Sequence, residues 1–217
     1  MKTSVAMLAA ASVLGFAGIA SAQDQASEPV GKGSWIVTAR ATGVLPQADS
    51  AIKDASGTPT GLTAHVSDDW MPTLGITYFV SDHWAVEAIL GVTKHTVKAK
   101  GEGTDVAVHE TWVLPPIVTA QYRPTPNNRI SPYVGAGVSY MSFFDGKDKN
   151  GFKVDIDNGF GFALQAGADM NLSGPWTLNL DAKKVWFDTK ANINDGALNS
   201  NVNLNPWVVS LGVGRKF

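Results

Sequence analysis

The chain has 217 residues, enough for one domain or at most two, and no cysteine, which excludes a disulfide framework and a thiolate metal site. Only 17% of residues are charged and the net charge is −2. Lys and Arg are few and scattered, so there is no nucleic-acid footprint.

The first segment reads as an export signal. Lys2 precedes the apolar stretch SVAMLAAASVLGFAGIA, and Ala20, Ser21 and Ala22 supply the small residues a signal peptidase needs. Cleavage is expected before Gln23, which divides the chain into a signal peptide, 1–22, and an exported domain, 23–217. A membrane anchor is the competing reading, but the run is short, Ala-rich and followed at once by the cleavage site. No later stretch has the roughly 20 apolar residues of a membrane helix.

Beyond the signal, alternation at period two recurs eight times, over 33–44, 70–80, 84–97, 106–123, 131–144, 158–172, 176–190 and 202–217. After the second, fourth and sixth strands the connections are tight (81–83, 124–129 and 173–175). After the first, third, fifth and seventh they are long, polar and rich in Gly, Asn and Asp, as in KDASGTPTG and KANINDGALNS. Short turns at one end and long loops at the other predict an all-β fold, an eight-stranded antiparallel barrel of the Gram-negative outer membrane with its turns toward the periplasm. The first long connection, 45–69, is a candidate docking loop for phage, toxin or lipopolysaccharide.

Aromatic residues in the apolar phase form two sets. Trp35, Tyr78, Trp84, Tyr122, Trp176 and Phe217 lie near the short-turn end; Trp112, Tyr140, Phe160, Trp186 and Trp207 lie near the long-loop end. Trp112/Tyr122, Trp176/Trp186 and Trp207/Phe217 are each ten residues apart. At about 3.3 Å per residue and a tilt of about 40°, that span is roughly 25 Å, the height of a lipid-facing apolar band. A soluble sandwich or lipocalin-like barrel would show the same alternation. The ten-residue spacing and the final Phe217 favour the membrane barrel, with rings at both interfaces. A closed barrel has no unpaired edges, so a monomer is expected.

The stretches LPPIVTAQY (114–122), PYVGAGVSYMSFFD (132–145), GFGFALQAGADM (159–170) and LNPWVVSLGVGRKF (204–217) resemble the outer membrane protein W (OmpW) family over essentially all of 23–217. The resemblance implies an eight-stranded monomeric barrel that admits small hydrophobic molecules across the outer membrane, with a lateral exit. It also makes Phe217 the expected signal to the barrel assembly machinery. Arg215 stands where such strands usually carry a further aromatic residue, which weakens that signal.

Eight strands enclose a lumen that side chains nearly fill, so a wide aqueous porin is not expected. In the lower half the inward phase holds Glu87, Gln121, Gln165, Asp169, Asn179, Asp181 and Lys183, with Arg40 near the middle. Buried charges of both signs must be paired. They form either a salt-bridged plug or an ion-selective path. In the upper half the inward phase holds Val44, Met71, Val113, Met141, Phe143, Phe187 and Leu204. These read either as core packing or as a chamber for a small hydrophobic solute blocked from straight descent. Pro115 and Pro116 cannot donate to the strand ladder, so they mark a candidate lateral opening into the lipid and lipopolysaccharide around the barrel.

Of the four histidines, His83 falls in a tight turn and His65 in a loop, while His95 and His109 flank the second long connection. A facing pair with Asp68 or Asp69 could hold a metal or act in acid–base work. Solvated loop histidines are the plainer reading. No nucleophilic serine with a positioned histidine is identifiable, so neither an enzyme nor a cofactor or metal is expected.

Overall fold

The computed structural model describes residues 26–47 and 49–217; the expected signal peptide and its cleavage point lie outside them. Period-two alternation produces fifteen strands and, among the described residues, no α-helix. They are β1 (Trp35–Leu45), β2 (Asp49–Asp54), β3 (Pro59–Val66), β4 (Asp69–Phe79), β5 (Trp84–Leu90), β6 (Thr93–Gly101), β7 (Thr104–Leu114) and β8 (Ile117–Tyr122). There follow β9 (Ile130–Asp148), β10 (Val154–Ile156), β11 (Gly159–Asn171), β12 (Trp176–Trp186), β13 (Asp188–Ile193), β14 (Leu198–Asn203) and β15 (Trp207–Lys216).

Eight of these close a ring. The order β1-β4-β5-β8-β9-β11-β12-β15 returns to β1, and every pairing is antiparallel. Closure leaves no sheet edge, the condition for a sheet to cross lipid. Above the ring stands a second tier in which β10, β13, β14, β2, β3, β6, β7 and the upper end of β9 pair in turn.

The ring is the expected eight-stranded barrel; the tier corrects only the expectation that the long connections are loops. The segment 45–69 is not an irregular loop: β2 and β3 form a hairpin within it, and Ile52, Ala64 and Val66 are buried. KANINDGALNS likewise lies in the β13–β14 hairpin, turning at 194–197. Four expected strands are interrupted instead of continuous. The run 84–97 breaks at Gly91 and Val92, 106–123 at Pro115 and Pro116, 176–190 at Phe187, and 202–217 at 204–206.

The apolar phase faces outward through the ring. Leu180 is 64% exposed and Leu211 55%, an exposure that only lipid makes tolerable for contiguous residues of this size. Below this band Trp35 packs on Tyr78 with ring centroids 4.6 Å apart, and Trp84 on Tyr122 at 5.2 Å, with Trp176 and Phe217 completing the lower ring. Above it lie Trp112, Tyr140, Phe160, Trp186 and Trp207, joined by Trp70 and Phe162, which share the phase of Tyr78 and Phe160, and by Phe144.

Candidate functional site: an apolar chamber over a charged plug

The inward phase of the lower half gathers into one network. Glu87, fully buried on β5, accepts from Arg40 Nη2 at 2.9 Å, Lys183 Nζ at 2.9 Å and Gln121 Nε2 at 2.9 Å. Asp181 accepts from Lys183 Nζ at 2.5 Å, Gln165 Nε2 at 2.6 Å and the Tyr133 hydroxyl at 2.8 Å. Asp169 accepts from Asn179 Nδ2 at 2.7 Å and Arg123 Nη1 at 2.5 Å, and Arg40 Nε donates to Asn179 at 2.8 Å. All eight expected plug residues thus meet in one place.

Arg123 and Tyr133 were not expected there. Arg123 bridges Asp169 and Gln121, and its guanidinium sits 4.2 Å from the Tyr133 ring centroid. It was foreseeable: the predicted set had Arg40 and Lys183 against Glu87, Asp169 and Asp181, one cation short. Arg123 lies two residues beyond Gln121, hence on the same face. Tyr133 is accommodated by Gly167, where a Cβ would fall 2.5 Å from the phenol. Beneath the plug, Val30, Ile36, Phe79 and Ala85 form a small apolar floor. The segment leading into β1 runs across that end, where Lys216 Nζ donates to Ser27 Oγ at 2.7 Å and to the Glu28 carbonyl at 2.6 Å.

Above the plug the lumen changes character. Val44, Met71, Val113, Met141 and Phe187 are buried in one apolar cluster with Ile89, Ile117, Val185 and Val208, and Phe143 and Leu204 pack against it. Phe143 points in, 6.3 Å from the Phe187 ring, while Phe144 points out. The second tier continues the lining through Ile52, Val66, Val108, Val154 and Val202, a contribution hidden in sequence stretches that looked like polar loops. All of these inward residues except Phe187 and Val185, which pack behind the lining, border one apolar void.

One part of the wall around this void lacks a ladder. Pairing of β4 with β5 stops at Leu74↔Leu90, and pairing of β5 with β8 stops at Ile89↔Ile117. Pairing of β6 with β7 starts only at Thr93↔Val113. Gly91 and Val92 therefore have no ladder partner on either flank among the described residues. Pro72 lies on one side, Pro115 and Pro116 on the other, and none can donate an amide. Gly91 and Pro115 both line the void, so the break borders it. A side-chain tie spans the break at its upper end: Asp69 Oδ2 accepts from Thr93 Oγ1 at 2.9 Å and from the Lys94 amide at 2.8 Å. The expected opening at Pro115 and Pro116 is one flank of this break; Pro72 and Gly91 went unnoticed because each stands alone in its strand.

The histidines correct two expectations. His95 and His109 are not solvated but buried in the second tier. Nor do they form a facing pair, since His95 opposes Thr111 and His109 opposes Val97. His95 Nδ1 donates to the Ser67 carbonyl at 2.7 Å, and its Nε2 lies 2.8 Å from Thr93 Oγ1. His109 Nδ1 meets Asp148 at 3.0 Å, an oxygen that also takes the Val154 amide, so this contact helps join β9 to β10. The described residues contain no group of three or more His, Cys, Asp or Glu placed to hold a metal.

Residues 31–217 match a family model described as the OmpW family. The chain is 36% identical over 191 residues to the uncharacterized outer-membrane protein y4mB of Sinorhizobium fredii, covering 86% of this chain and 81% of that one. It is 30% identical over 161 residues to the dibenzothiophene metabolism operon protein PahQ of Pseudomonas aeruginosa, covering 72% and 76%. The crystal structure of the outer membrane protein OprG from Pseudomonas aeruginosa superposes with a TM-score of 0.81 at 30% identity, covering 87% of this chain and 98% of that one.

Proposed function

The chain belongs to the OmpW family of outer-membrane barrels, and from that premise we propose that it takes small hydrophobic molecules into its upper chamber and releases them sideways into the membrane. The observation that carries this reading is the coincidence of the void with the unpaired wall at Gly91 and Val92. An apolar solute gains by leaving water for such a lining, at roughly 25 cal/mol per Å². Below it the route is filled by side chains that are each at most 4% exposed, Arg40 through Lys183. A solute held above that plug therefore has the sparsely bonded wall as its way out, and Leu90 and Val92 present apolar side chains to lipid there. A relative named for dibenzothiophene metabolism accords with a solute of this class.

A straight ionic path is the weaker reading, because every plug charge is already paired and desolvated. Export by a Sec-type signal and the absence of catalysis belong to the same proposal. Uptake into liposomes, with and without the protein, tests it using one hydrophobic and one ionic probe. Hydrophobic uptake should rise and ionic uptake should not, and Met141→Asp should abolish the rise by placing an unpaired carboxylate in the chamber. Uptake confined to small ions, or unchanged in Met141→Asp, would overturn the reading.

A further inference from the structure

Where plug and chamber meet, three hydroxyls form a chain. Thr42 Oγ1 lies 2.7 Å from Thr73 Oγ1 and 2.9 Å from Ser210 Oγ. Each sits two residues below a chamber residue on its own strand: Thr42 below Val44, Thr73 below Met71, Ser210 below Val208. Thr42 and Thr73 line the void, and all three side chains are buried.

The protons do not balance within the triad. A hydroxyl donates one hydrogen bond and accepts up to two. Three hydroxyls bring three protons, and the two contacts use two of them. Among the described residues these oxygens have no further hydrogen-bond partner, so in every orientation of the chain one O–H remains undonated and lone pairs remain open. That proton is a donor that the oxygen of a ligand can accept. The cations below cannot serve a charged ligand: Arg40 and Lys183 are taken up by Glu87 and Asp181.

We infer that the Thr42–Thr73–Ser210 triad is a head-group subsite of the chamber, holding the single neutral oxygen of an otherwise apolar solute. A hydroxyl or carbonyl fits; a carboxylate would arrive without a free counter-charge, and a pure hydrocarbon would leave the spare proton unmet. The inference rests on the chamber being a solute site, and it adds the chemistry that the site prefers.

Binding of naphthalene and of 2-naphthol to the protein in lipid nanodiscs, each referred to its partition into empty nanodiscs, tests it. The wild-type protein should favour 2-naphthol about fivefold, the worth of one net hydrogen bond. The double variant Thr42→Val/Thr73→Val keeps the shape, removes both hydroxyls that line the void, and should bring the ratio to about one with naphthalene binding unchanged. Thr42→Ser/Thr73→Ser should restore the preference, which separates lost hydroxyls from a damaged barrel. Equal enrichment of both probes in the wild type, or an undiminished preference in Thr42→Val/Thr73→Val, overturns the subsite and leaves the chamber standing. Enrichment of neither probe over empty discs overturns the chamber itself and the subsite with it.

Discussion

The lower and upper halves of the lumen are built on the same strands, yet one is filled and the other hollow. On β1, Arg40 belongs to the plug and Val44 to the chamber, four residues apart; on β12 and its continuation, Asp181 and Lys183 give way to Val185 and Phe187. Ionic side chains are long and must find partners, so they reach across and close the lumen. Aliphatic side chains make no such demand. They cover the wall and stop, and the space between them is left over. A strand thus sets the fill of its barrel by the chemistry of every second residue.

The sharpest way to break this contrast is to remove one member from each half. Glu87→Ala leaves Arg40 without its carboxylate and Lys183 with Asp181 alone, and should cost about 3–5 kcal/mol. Met141→Ala, bordering space that is already empty, should cost about 2 kcal/mol, the low end for core truncation. Urea unfolding in bilayers would measure both, and equal losses would refute the contrast. A smaller effect is expected at the wall. The Pro116 carbonyl takes the Tyr140 amide at 3.1 Å, so the missing amide of Pro115 is the one that would face Gly91. Pro115→Ala should slow amide exchange at Gly91 and Val92, gaining about 0.5–1 kcal/mol locally, and should reduce hydrophobic uptake.

The smallest expected effect concerns acidity. Burial holds the His95 imidazole below its ordinary value of about 6.5, against the opposing pull of the Ser67 carbonyl, Asp69 and Asp68. The opened second tier therefore takes up a proton before the closed one does. The stability contributed by neutral His95 is present above about pH 6.5 and is lost as pH falls below it. Exchange at Ser67 and Thr96, corrected for intrinsic rates, should accelerate between pH 7.5 and 5 in the wild type and not in His95→Ala.

The barrel was legible because period two has only one geometric reading once a ten-residue spacing such as Trp176 to Trp186 is added. Both halves of the lumen followed from the same phase. What hid was whatever departed from clean alternation over a long run. The second tier was masked because inward Ile52, Val66, Ala191 and Val202 are interleaved with Asp, Asn, Lys and Gly, which read as loop. Pro115 and Pro116 announced themselves as a pair, whereas Pro72 and Gly91 did not. The Thr42 triad had no sequence signal at all, because Thr42, Thr73 and Ser210 come from three strands and meet only through register.

The pairing of the plug has an electrical consequence. Arg40, Arg123 and Lys183 face Glu87, Asp169 and Asp181, three of each sign, all desolvated. A cluster without net charge gives a voltage across the membrane nothing to pull on, and salt ions that cannot enter cannot screen it. The stopper should hold equally well in a dilute stream and in brine.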